Sequence, residues 1–160
     1  MHHRIGANGQ DCGWRPIILI MPFVSITRLR VRAWRYLPAF IIQAFRSARQ
    51  ASLAPGNLAV TLLRDANLTF WTRTVWSEEA AMRAFMLAGM HRKVMPRLLE
   101  WCDEAAVAHW NQDALKPPAW DEAHQRLQHE GRTSKVNHPS PAHSRFEIPA
   151  PSVSNELKFK

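Results

Sequence analysis

The stretch from Phe70 to Trp110 constrains this chain more than any other. Around Phe70 to Trp76 the residues alternate. Trp71, Arg73 and Val75 fall on one side, and Phe70, Thr72, Thr74 and Trp76 on the other, so Leu68 to Trp76 is predicted to be a strand. Ser77 follows as a predicted N-cap, with Glu78 and Glu79 in a first turn that favours anions. A helix then carries Met82, Phe85, Met86 and Gly89 on one stripe. Past Gly89 the stripe shifts to Leu87, His91, Val94 and Leu98. Pro96 lacks the N–H an inner helical turn uses. A bend or split is therefore predicted between Gly89 and Pro96, with His91 at the break and turned inward. Ala105 to Trp110 is predicted to be the next strand.

The flanking sequence completes a pattern. Phe23 to Ala33 alternates Leu29, Val31 and Ala33 with Arg28, Arg30 and Arg32, as a half-buried strand does. Trp34 to Leu53 is predicted helical, with Pro38 in its first turn and Pro55-Gly56 as its stop. Asn57 to Leu63 and Leu68 to Trp76 form a hairpin across Asp65-Ala66-Asn67. A last helix, Ala119 to Glu130, follows Pro117-Pro118 and ends at Gly131. The order β-α-β-β-α-β defines an α+β fold of ferredoxin-like type, one antiparallel sheet with two helices on one face. The third strand is apolar on both sides, and a bare apolar face of that size seldom stays in water. Pairing of two sheets across a two-fold axis would bury it, so a homodimeric α/β barrel is the expected assembly.

The domain is expected over residues 21–131. Met1 to Arg15 is polar and aperiodic, and residues 1–20 read as an extension without order or as lying upstream of a true start at Met21. Residues 132–160 are rich in Ser, Pro and His and read as an extended or disordered tail. No apolar run reaches the roughly 18–20 residues needed to cross a bilayer. Cys12 and Cys102 have no metal spacing and no disulfide framework, which points to a reducing, cytoplasmic setting. The net charge is +8, yet the arginines are scattered and no basic run reaches five residues. Nucleic acid is therefore not the expected partner. Phosphate-loop glycines, a GxSxG elbow and zinc motifs are all missing from the sequence.

TVWSEEAAMRAFMLAGMHRKVMPRLLEW, followed by AHW and PPAWDEAHQRL, resembles an uncharacterised family of dimeric α/β-barrel proteins. That family is related to the antibiotic-biosynthesis monooxygenases and the spheroidene-type carotenoid monooxygenases. The residues that carry the resemblance are Val75-Trp76, Glu78-Glu79, Met82 with Phe85, His91 and Trp101, within roughly residues 23–145. It implies a monooxygenase-like barrel that acts on or binds a hydrophobic aromatic or polyene small molecule. The relatives include haem enzymes, oxygenases and proteins without assigned activity, so the resemblance leaves the reaction open.

Five residues are candidates for the site. His91 is the expected catalytic residue, as a base on an acidic phenol or enol, or as the axial ligand if haem is bound. The cofactor is thus none or haem. Trp71 and Arg73 share a strand face and suit a planar, anionic or quinone-like ligand. His109 and Trp110 point to opposite faces of the last strand, so one of them is expected in the interior. A non-catalytic binding or assembly protein on the same fold is the alternative, and a basic interaction module the third reading.

Overall fold

The computed structural model describes residues 21–160, so the expectations for residues 1–20 lie outside the described residues. Strand β1 (Phe23–Val31) leads through a single 3-10 turn into helix α1 (Leu37–Leu53). The hairpin β2 (Asn57–Arg64) and β3 (Thr69–Trp76) follows. Helices α2 (Glu79–Met86) and α3 (Gly89–Trp101) lead to β4 (Cys102–Asn111) and helix α4 (Trp120–Glu130). Three short elements close the chain: β5 (Arg132–Thr133), α5 (Pro141–Ser144) and β6 (Asn155–Lys158). The sheet runs β5-β4-β1-β3-β2-β6, with every pair antiparallel. Its inner four strands follow the ferredoxin-like order expected from the element sequence.

Register decides which residues share a face. Ser25 lies opposite Thr74 and His109, and Ile26 lies opposite Arg73 and Ala108. Helices α1 to α3 cover the face bearing Ser25, Thr27, Thr72 and Thr74. The other face carries Val24, Ile26, Trp71, Val75 and Trp110, packed under Trp120, Ala123 and Leu127 of α4 and under Ile148. The apolar area that motivated sheet-to-sheet pairing is therefore buried within one chain. The segment beyond Gly131, expected to be extended or without order, adds β5 to one sheet edge and β6 to the other. Arg28, expected on a solvent face, is 5% exposed. It donates to Glu104 at 2.6 Å, so its charge is paired where it is buried.

The break after α2 comes earlier than the stripe shift suggests. Helix α2 ends at Met86, and α3 starts at Gly89 and runs through Pro96 without interruption. Gly89 takes φ +54, where a Cβ would stand 2.7 Å from the Gln50 amide oxygen. Ala88, the N-cap of α3, offers no capping side chain. Gln50, near the end of α1, supplies the cap instead. Its Oε1 accepts from the N–H groups of Met90 at 2.8 Å and His91 at 3.1 Å, and its Nε2 donates to the Ala88 carbonyl at 3.0 Å. Pro96 sits on the exposed side, where water can meet the carbonyl its missing N–H leaves free. Ser77 is not the N-cap of α2. Its N–H is held by the Gly56 carbonyl at 2.7 Å, and the helix begins two residues later. Gly56 adopts φ +78, and a Cβ there would meet Ala81 and Ser77 at 2.7 Å.

Candidate functional site

Small side chains face one another between the sheet and helices α1 to α3. Helix α1 presents Ala44, Ser47, Ala48 and Ala51, and the sheet presents Ser25, Thr27, Thr72, Thr74 and Ala105. Large aliphatic residues at these positions would fill the layer at ordinary core density. With small ones a cavity of about 260 Å³ remains. Phe40, Phe70, Trp76, Met82, Phe85, Val94 and Leu98 make its walls mostly apolar. Trp76 and Phe85 stack at 5.2 Å.

His91 lines this cavity from the first turn of α3. Its Nδ1 is 3.2 Å from the Met86 carbonyl and its ring centroid 4.7 Å from that of Phe85. A carbonyl only accepts, so Nδ1 carries the proton and Nε2 keeps the lone pair. Burial pushes the imidazole below its ordinary value, and the bond to Met86 opposes this in part. The ring is therefore neutral, with one free basic nitrogen, at neutral pH. His109 lines the same cavity from β4, beside Phe23 at 5.6 Å. Burial lowers its pKa first, and the Arg132 guanidinium lowers it further.

Of the other three sequence candidates, Trp71 alone reaches the cavity lining. Trp71 borders the cavity wall, but its indole lies edge-on to Trp120 and His124 of α4 and donates to Asp65 at 3.2 Å. Arg73 is on the α4 face, bonded to the Pro118 carbonyl, paired with Glu156 at 2.7 Å and 4.2 Å from the Trp120 ring. Trp110 lies on that face beneath Arg126. Residue alternation put Trp71 and Arg73 together correctly but could not say which face meets the helices. Arg73 and Trp110 do not line the cavity.

Several polar residues of the lining were not singled out from the sequence, among them Gln43, Ser47, Arg132 and Lys135. Gln43 and Ser47, one turn apart on α1, bring Gln43 Oε1 and Ser47 Oγ to the wall, both buried and without a hydrogen-bond partner. Their signal was legible as two polar residues within the apolar stripe of a helix. Arg132 and Lys135 line the cavity from the segment after α4, and an isolated arginine and lysine there carry no readable pattern.

The residues do not fit a haem. The His91 Nδ1–H to carbonyl bond would suit an axial imidazole. Yet the cavity is smaller than the roughly 300–1,000 Å³ pockets that hold drug-sized ligands, and a haem macrocycle is larger than such ligands. Among the described residues no group of three or more His, Cys, Asp or Glu side chains is placed to hold a metal ion. No helix of the described chain is long and apolar enough to cross a membrane.

Solved structures share this fold at low identity. A protein of unknown function from Nitrosomonas europaea is 17% identical with a TM-score of 0.53, covering 63% of this chain and 98% of that one. A Pseudomonas aeruginosa protein is 13% identical with a TM-score of 0.52, covering 60% of this chain and 98% of its own. An antibiotic biosynthesis monooxygenase is 14% identical with a TM-score of 0.50, covering 57% and 97%. The fold is thus monooxygenase-like. No curated protein matches the chain by sequence. Residues 35–146 match the family model for a domain of unknown function, DUF3291, and the chain belongs to that family.

Proposed function

We propose that the chain takes a small aromatic molecule into the cavity between sheet and helices and acts on it as a cofactor-independent monooxygenase-like enzyme. The observation that carries this reading is the neutral imidazole of His91, with a free Nε2, on the wall of a mostly apolar cavity. An apolar cavity of about 150 Å³ holds a benzene ring. The 260 Å³ here suits one to two fused rings, which favours a compact aromatic over a long polyene. His91 Nε2 takes a proton from an acidic ring carbon or phenol. The resulting anion reduces dioxygen; one oxygen atom stays on the ring carbon as a carbonyl, and the other leaves as water with the two protons lost. A pKa held below the ordinary histidine value keeps this base free at neutral pH.

Oxygen uptake with a panel of one- and two-ring phenols and no added cofactor tests the reading. Uptake that falls at least 100-fold in His91→Gln is expected, on the scale of a general base. Uptake unchanged in that variant would overturn the role of His91. Binding without uptake across the panel would leave the second reading, a non-catalytic binding protein. One feature favours that alternative: no carboxylate lines the cavity to pass the proton onward.

A further inference from the structure

The charge of the cavity lining is one-sided. It includes Arg132 and Lys135 and not a single Asp or Glu. Both cations are exposed, so they stand at the rim rather than in the apolar interior. The same two residues also line an adjoining open cleft with Ser134, His143 and Ser144, and that cleft has no carboxylate either. Most other arginines near the sheet are committed: Arg28 to Glu104, Arg30 to Asp103, Arg73 to Glu156 and Arg83 to Glu79. Among the described residues Arg132 and Lys135 have no ion-pair partner.

Backbone pairing fixes where the rim cations stand. Arg132 lies opposite Val107 in the β4–β5 pair, and the Ser134 N–H bonds the Ala105 carbonyl at 2.8 Å. Val107 and Ala105 themselves line the cavity floor. The cations are thus tied to the edge of the strand that carries His109. A mostly apolar cavity with two unpaired cations at its edge matches a molecule that is aromatic at one end and anionic at the other.

We infer that the ligand is an aromatic acid, its ring system in the cavity and its carboxylate at the rim between Arg132 and Lys135. This inference rests on the small-aromatic reading of the cavity given above. It reassigns the anion-binding role that the sequence suggested for Arg73, whose guanidinium is engaged on the opposite face of the sheet.

Isothermal titration calorimetry with 2-naphthoate and the neutral 2-naphthylmethanol tests it on the full chain. At low salt the carboxylate is expected to bind roughly ten-fold more tightly, as two rim ion pairs would give. The preference should shrink as sodium chloride is raised. The double variant Arg132→Gln, Lys135→Gln should abolish the preference and leave the neutral compound's affinity unchanged. Both side chains are exposed, so unchanged circular dichroism and melting are expected in that variant. Equal affinity of the two compounds for the wild-type chain would overturn the aromatic-acid inference while the small-aromatic reading stands. A preference that survives in the double variant would overturn the assignment to Arg132 and Lys135. Failure of both compounds to bind would sink the cavity reading together with the inference.

Discussion

Gln50 is the point at which the fold and the candidate base are joined. It sits near the end of α1, 41 residues before His91, and caps the helix that carries His91. Replacing it by alanine removes the acceptor for the Met90 and His91 N–H groups and the donor to the Ala88 carbonyl. The last of these bonds is exposed and contributes little. The two partly buried N–H groups behave as an uncapped helix start, a loss of about 1 kcal/mol within a range of 0.5–2. For a domain of this size each kcal/mol shifts the melting temperature by about 2–4 °C. Gln50→Ala should therefore melt a few degrees lower, read by circular dichroism. Gln50→Glu keeps the acceptor and places a carboxylate at a helix N-terminus, where the dipole favours it, so most of the loss should be recovered. The cap also holds the His91 backbone that lets its ring reach Met86. In Gln50→Ala the imidazole should loosen and its pKa should climb back toward the ordinary value, seen by NMR titration. Equal losses in the alanine and glutamate variants, or an unmoved His91 titration, would refute the capping account.

Three other perturbations test separate parts of the structure. Burial lowers the pKa of both His91 and His109, so the unfolded chain takes up their protons first; stability should fall as pH drops below about 6.5. His91→Gln should make that fall shallower in urea midpoints from pH 8 to 5, and an equally steep fall would count against a buried neutral His91. The Cys102 thiol is pushed up to about 12 by burial, so in a Cys12→Ser background the native protein should react with a thiol reagent at pH 8 only as fast as it unfolds; rapid labelling would show that Cys102 is accessible. Leu127 is fully buried between α4 and the sheet. Leu127→Ala should cost about 2–5 kcal/mol in urea unfolding, and a loss near zero would mean that α4 does not seal this face.

The order of strands and helices was legible because each rests on local period and local punctuation. The alternation of β3, the stripe of α1 and the Pro55-Gly56 stop needed no partner to be read. The presence of a break near His91 was legible too, through the shift of the apolar stripe. Its position was not, because the residue that caps the new helix is Gln50, and sequence separation hides such a bond. His91 was found at the site because it falls on the shifted apolar stripe with Leu87, Val94 and Leu98, whereas Arg132 and Lys135 belong to a stretch with no period at all.

What the sequence alone determined is the βαββαβ frame and the two families of residues that alternate along each strand. Period two assigns side chains to opposite faces, but it does not say which face receives the helices. β3 is apolar on both sides, so hydrophobicity could not break the tie. Only the tertiary structure decided it, by folding α4 back over Trp71, Val75 and Trp110 and leaving the threonine-lined face to helices α1 to α3. The cavity follows from that choice, since small residues far apart in sequence become a void only when two layers bring them face to face. The same packing sends Arg73 away from the cavity and brings His91 and His109 to it.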